Sequence, residues 1–597
     1  MNGGSNRDQK RLRYVFGFSS MIVAWSLVLL YAHLAAGAVA LGGIEDYMQR
    51  AGVYLEHLRQ IGLLTLAAVL AGLGMGLTVP LPDRFSTGVT FPWWVRSPLL
   101  AMFLGWAAAV AYFVIGHTPR VFDSFNYLFQ ARNFALGQLY ASIPPARELF
   151  QFPFIMMYNG HWFGSVYPGH SFFLALGILV GLPWLVNPVM ATLTLWRTYS
   201  LGRLLFSPAT AVIALLLGVL SPFFLYQSAI FMSHPTAAFL VLSGVYHYAL
   251  IVKGQGRRTA AWSCGMFWGL ALVTRPQAVF CIGLPFALHG LVMIRGRHFG
   301  CRRALIIAST AGVFQLGLFI YNARVTGNPM DNPRYRVSPY RRLGFGPDIG
   351  YPLADGSYSG HTPGKGIANT RLNLELLNAE LYGWGGAFIF GLPVLLVTAS
   401  VLDRRRTSWD LLMFGSILAT VILYIAYFTP SPNFGPRYYL EVVPFMLLLT
   451  ARGLATITRG LTILFGHICT QPARRASAGV LASMVLLFFV SFCVVRPRHS
   501  IHYGILPPIA RAGNIPGLAE LDQAIVMVSP QLFLANVFTW NSPNLDTPVI
   551  YIPETSREKL GELLAAFPGR VVYRLDWNFQ SRSGRLVLLQ PGQGDPP

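Results

Sequence analysis

Long apolar runs recur from residue 15 to residue 496, separated by short polar stretches. A membrane crossing needs about 20 apolar residues at about 1.5 Å each. On that measure the chain is expected to cross thirteen times, over 17–41, 60–79, 97–116, 185–206, 208–227, 235–252, 259–274, 277–294, 303–321, 382–402, 409–428, 438–456 and 478–496. The apolar run 171–182 is too short to cross and is assigned to a re-entrant or interfacial helix. Past 496 the rhythm changes. "AIVMVS" (524–529), "PVIYIP" (548–553), "VVYRL" (571–575) and "RLVLLQ" (585–590) read as strands, and "SREKLGELLAAF" (556–567) as a serine-capped helix. The predicted fold class is an all-α polytopic membrane domain over 1–496, with long connecting segments at 117–184 and 322–381, followed by a small α/β domain over 497–597. The first apolar run is long enough to cross and further runs follow it, so it does not read as a cleaved signal.

Composition agrees: of 597 residues 54% are hydrophobic and 11% charged, with a mean hydropathy of +0.50, which excludes an ordinary soluble globular protein. The formal charge of +22 would suggest nucleic acid, but the basic residues sit in short clusters between spans. With the N-terminus ("NRDQKRLR") cytoplasmic, Arg84 and Arg96, Arg203, Lys253, Arg257 and Arg258, Arg295, Arg297, Arg302 and Arg303, Arg404 to Arg406, and Arg459, Arg474 and Arg475 all fall inside. That register puts 117–184, 322–381 and 497–597 outside, and nucleic acid drops out as a partner. If 171–182 crossed, every later cluster would change sides. The cysteines (Cys264, Cys281, Cys301, Cys469, Cys493) show neither disulfide nor metal spacing. No Asn-x-Ser/Thr sequon with a permitted middle residue occurs, which favours a bacterial plasma (inner) membrane.

"VFDSFNYLFQARNFALGQLY" (121–140) has helical spacing. Asp123, Asn126, Gln130 and Asn133 share one face, and Phe122, Phe125, Phe129 and Leu136 the other. Such a helix is expected to lie in the membrane interface, apolar face down. Asp123 then heads it, where the helix dipole favours a carboxylate, either as a cap or as a functional group. The following stretch, 150–177, is rich in aromatics, with His161, Trp162, Tyr167 and His170 among them. It suits the headgroup level and the sugars displayed there.

An outer loop opening on Asp123, then "YPGHSFFLALGILVG", then a span ending in "LGRLLFSP", resembles the GT-C superfamily of integral membrane glycosyltransferases. More narrowly it is similar to the protein mannosyltransferase and lipid A aminoarabinose transferase clan. "SHPTAAFLVLSGVYHYAL", "GLALVTRPQAVF" and "GPRYYLEVVPFMLLLTARGL" fit in order, so the resemblance covers roughly 115–460. It implies transfer of a sugar from a polyprenyl-phosphate carrier to an acceptor outside the membrane. Asp123 matches the loop aspartate that serves the clan as general base or acceptor-orienting group. Arg437 and Arg275 are the outer arginines placed to stabilise the departing phosphate, with Tyr438 and Asn126 as further substrate contacts. Glu441 stands one turn after Arg437, so an i,i+4 ion pair competes with phosphate binding as the reason for that arginine. Two departures stand out. Tyr167 replaces a lysine found in the aminoarabinose transferases, with His170 the nearest substitute cation, and His234 stands where many relatives carry aspartate.

In 322–381, Arg334, Arg336, Arg341, Arg342 and Lys365 are able to meet anionic headgroups, or else form a solvated basic loop. The expected partners are a polyprenyl-phosphate-linked sugar, membrane lipids and a lipid, glycan or protein acceptor. No cofactor and no metal site is assigned, DxD being absent, and a divalent-cation requirement stays open. A transporter or flippase is the rival from another class; it would need inverted repeats, broken helices and ionisable groups near the midplane. A scaffold without activity is the other.

Overall fold

The computed structural model describes residues 3–36, 47–79, 93–257, 259–296, 300–353, 355–385, 391–429, 435–495, 515–578 and 583–589. Arg84, Arg258 and Arg297 of the predicted cytoplasmic clusters lie outside these, as do residues 430–434, 496–514 and 590.

The chain is a helical, multi-pass membrane protein. Among the described residues eight helices are long and apolar enough to cross a membrane, and five shorter apolar helices accompany them. In chain order the bundle contains α1 (Gly3–Ala36), α2 (Tyr47–Thr78), α3 (Trp93–Ala109), then α4 (Phe122–Ala135) in the first long connection. That connection also holds a small antiparallel sheet, β1 (Ala141–Ser142), β2 (Ile155–Tyr158) and β3 (His161–Gly164), in the order β1-β3-β2. There follow α5 (Pro168–Leu179), α6 (Val186–Leu205), α7 (Pro208–Leu220), α8 (Pro222–Gln227), α9 (His234–Val252), α10 (Ala260–Leu272), α11 (Pro276–Arg295) and α12 (Cys301–Thr326). The second long connection carries α13 (Pro333–Val337) and α14 (Pro363–Glu380), and α15 (Leu392–Leu402), α16 (Ser408–Ile425), α17 (Val443–Phe465) and α18 (Pro472–Val490) complete the bundle. With 12 residues, α5 rises only about 18 Å, too little to cross.

The expected continuous span 208–227 is broken. Ser221 ends α7 and caps α8, its Oγ accepting from the Phe224 amide at 3.1 Å, and Pro222 follows at the first helical position.

Beyond the bundle, β4 (Ala524–Val528), β5 (Val549–Pro553), β6 (Val571–Asn578) and β7 (Ser583–Leu588) form a sheet ordered β5-β4-β6-β7. Its first three strands are parallel and β7 is antiparallel to β6. Alternate residues of β4 do not divide into an apolar and a polar face, because the whole strand is buried.

This sheet is not a body apart from the first connection. Phe125, Phe129, Phe152 and Trp162 share one hydrophobic core with Ile525, Leu532 and Phe538. Phe538 stacks on Phe152 at 4.3 Å between ring centroids. Arg132 of α4 donates to the carbonyls of Thr539 and Asn541, the latter at 2.9 Å. The interfacial expectation for α4 is therefore corrected: Phe125 and Phe129 face the C-terminal sheet rather than lipid. The polar face is buried too. Gln130 accepts from the Gly164 amide at 2.8 Å and donates to the Leu139 carbonyl at 2.9 Å, tying the helix to the β-hairpin. Phe122 and Leu136, at the two ends of the apolar face, stay exposed, while protein packs the middle of the helix on both faces.

Candidate active site

α4 begins after Val121, whose backbone is extended; Ser124 Oγ turns back to accept from the Val121 amide at 3.2 Å. This start puts Asp123 in the first turn, pointing to where the two long connections meet. Arg341 Nη1 lies 3.6 Å from one of its carboxylate oxygens and Arg437 Nη2 3.7 Å from the other. Burial alone would push the Asp123 carboxyl up. The guanidiniums of Arg334, Arg341, Arg437 and Arg275 outweigh it and hold the group below the usual carboxylate range. Asp123 is thus ionised at neutral pH.

Arg341 also covers the Phe154 ring, 3.9 Å from its centroid, and opens on the other side into a polar chamber. Arg275, Arg334, Gln277 and Thr274 supply polar groups to that chamber, and tyrosines form much of its wall: Tyr127, Tyr167, Tyr335, Tyr424, Tyr427 and Tyr438. Its volume is about 40 Å³, room for about three waters and less than a sugar ring needs.

Close backbone approach places Arg275 there. A Cβ on Gly169, in the first turn of α5, would lie 2.2 Å from Thr274 Oγ1, and the Gly169 amide donates to the Val273 carbonyl at 2.8 Å. The turn bearing Arg275 is thereby pressed against the start of α5. Arg275 pairs through Nε with Glu441 at 2.8 Å and reaches the Tyr424 hydroxyl at 3.3 Å. Burial would lower the Arg275 pKa, and the Glu441 carboxylate more than reverses it, so the cation persists.

Glu441 answers the question of the i,i+4 pair. Its partners are Arg275 and His234, the latter through Nδ1 at 3.0 Å, while Arg437 reaches Asp123. Those contacts join the starts of α9, α11 and α17 in one buried cluster.

Tyr167 does not replace a cation; it docks one. Its hydroxyl receives the Asn332 side-chain amide at 2.7 Å, and Asn332 caps α13, accepting from the Arg334 amide at 3.0 Å. The phenol is pushed up to about 12, chiefly by burial, so it keeps its proton. The hydroxyl, the cap and Pro333 together hold Arg334 over the chamber. Among the described residues no carboxylate lies within 4 Å of the Arg334 guanidinium, although Asp123 is near enough to help raise its pKa.

The other expectations divide. Tyr438 lines the chamber. His170 is fully buried behind Tyr127, with Nδ1 at 2.9 Å from Thr236 Oγ1, so it is no substitute for the missing lysine. His234 is likewise enclosed and belongs to the Glu441 cluster. Asn126 is buried and donates to the Phe154 carbonyl at 2.8 Å and to Ser165 Oγ at 3.2 Å, so it fixes the loop and not a substrate. Of the basic residues in 322–381, Arg336 pairs with Asp331 and Arg342 with Asp348, and Lys365 donates to the Ser359 carbonyl at 2.7 Å. Arg334 and Arg341 are the two drawn into the site. Only three-dimensional pairing separates them from the other three, although "DNPRY" did carry a capping signal, Asn before Pro at a helix start.

No family model matches the chain, and no curated protein sequence does. Among solved structures, ArnT from Cupriavidus metallidurans bound to undecaprenyl phosphate is 13% identical with a TM-score of 0.47, over 80% of this chain and 93% of that one. The Archaeoglobus fulgidus oligosaccharyltransferase in its apo form is 12% identical with a TM-score of 0.46, over 81% and 70%. The arabinosyltransferase EmbB from Mycobacterium smegmatis is 14% identical with a TM-score of 0.34, over 74% and 43%.

Proposed function

We propose that this protein transfers a sugar from a polyprenyl-phosphate carrier to an acceptor at the face bearing the two long connections, outside a bacterial plasma membrane. The observation that carries the reading is Arg334, whose guanidinium has no carboxylate within 4 Å among the described residues, shares a tyrosine-walled chamber with Arg275 and is linked through Arg341 to an ionised Asp123.

In the reaction an acceptor hydroxyl attacks the anomeric carbon, and the bond from that carbon to the phosphate oxygen breaks. The hydroxyl proton passes to the Asp123 carboxylate. The carrier departs as a phosphate monoester. Four guanidiniums (Arg275, Arg334, Arg341, Arg437) face two carboxylates (Asp123, Glu441), an excess of two positive charges. The donor diester carries one negative charge and the leaving monoester about two. The site therefore matches the charge that develops as the bond breaks better than the charge of the donor, which is what lowers a barrier. Arg341 lies between chamber and carboxylate, so its segment withdraws for the donor to enter.

A lipid carrier is supported by the surroundings. An apolar groove of about 510 Å³, bounded by Trp268, Gly283, Ala287, Ala304 and Ile307, follows α11, the helix that Arg275 heads. A second ionic cluster lies far from the chamber along the bundle. Asp403 pairs with Arg459, about 27 Å along α17 from Glu441.

Binding of undecaprenyl phosphate to the purified chain in lipid nanodiscs tests the reading. Arg334→Gln is expected to weaken it about 10- to 100-fold, the worth of one charge-assisted hydrogen bond to phosphate. Equal affinity in the variant would remove the phosphate from this chamber.

A further inference from the structure

We propose that the chamber selects a donor sugar bearing no ammonium group, that is, a neutral or carboxylated sugar. The proposal rests on the carrier reading above and adds the class of sugar to it. An ammonium is met most strongly by a carboxylate free to pair with it. Glu441 is held by Arg275 and His234, and Asp123 is flanked by Arg437 as well as by the Arg341 that withdraws. Neither belongs to the chamber lining, where the charged groups are Arg275, Arg334 and Arg341.

A phosphodiester cancels one charge of this group, leaving the sugar beside guanidiniums that still carry a net excess. An ammonium there meets like charge in a partly dry site, where Coulomb terms are several-fold larger than in water. The tyrosine wall can also serve a neutral sugar. Tyr127, Tyr427 and Tyr438 offer ring faces and hydroxyls, which pack against sugar C–H surfaces and exchange hydrogen bonds with hydroxyls without requiring charge.

The test uses three lipids that differ at one position. Undecaprenyl phosphate bearing arabinose, 4-amino-4-deoxyarabinose, or its N-formyl derivative would compete with labelled undecaprenyl phosphate on the full chain in nanodiscs. The amino lipid is expected to bind at least about tenfold more weakly than the arabinose lipid, about 1.4 kcal/mol. N-formylation, which removes the charge and keeps the nitrogen, is expected to restore most of the difference. Arg341→Gln, by removing one guanidinium, is expected to narrow the gap. Equal or tighter binding of the amino lipid would overturn the charge selection alone. If undecaprenyl phosphate itself fails to bind, the carrier reading falls and this inference falls with it.

Discussion

Asp123→Asn is expected to lower sugar transfer from a labelled polyprenyl-phosphate donor by about 10²- to 10⁴-fold, the range for loss of a positioned general base. The amide keeps the size of the carboxylate and cannot take the proton of the attacking hydroxyl. Its effect on donor binding should be small, because the chamber is lined by other groups. The pH profile gives a second readout. The surrounding guanidiniums depress the Asp123 pKa, so the carboxylate stays ionised as pH falls through the ordinary value of about 3.9 and is lost only below it. The stabilising contribution of this group follows the same sign: present above that ordinary value, and lost as pH falls through the depressed one. The acid limb of transfer should thus lie below the usual carboxylate range, and Arg341→Gln should move it upward. Undiminished transfer by Asp123→Asn would remove the base.

Glu441→Ala is expected to cost about 3–5 kcal/mol of stability, because it leaves the Arg275 guanidinium, whose side chain is only 11% exposed, without its counter-ion. Glu441 also binds His234, so one substitution loosens the junction of α9, α11 and α17. Thermal unfolding in detergent measures this. Glu441→Gln should cost less, since the amide oxygen can still accept from His234 or Arg275. A native-like midpoint in Glu441→Ala would mean that the cluster does not hold these helix starts together.

Hydrophobic periodicity located most of the apolar helices but not how many cross: thirteen crossings were expected, eight described helices are long and apolar enough, and the expected span 382–402 is helical over Leu392–Leu402. The strands read at 524–529 and 548–553 coincide with β4 and β5 because buried parallel strands are continuous apolar runs. Spacing also divided α4 into two faces. It could not say what each face meets, because Phe129 finds Phe538 and Arg132 finds Thr539 more than 400 residues away. The same limit applies to the site. Asp123 and Arg275 carry local signals, an acidic first turn and a cation before proline at a helix start. Arg334 looks like its basic neighbours in the sequence, and it becomes distinct only when Asn332 meets Tyr167. Asn126 shares a face with Asp123, yet one turn of helix is enough to point it at the Phe154 carbonyl instead of at Arg341 and Arg437.

The most direct measurement is a cryo-EM structure of the chain in nanodiscs with undecaprenyl phosphate. The account predicts phosphate density within hydrogen-bond distance, about 3 Å, of the Arg334 and Arg275 guanidiniums, with Arg341 moved off Asp123. Phosphate bound elsewhere, with Arg334 still unoccupied and Arg341 still on Asp123, would contradict it.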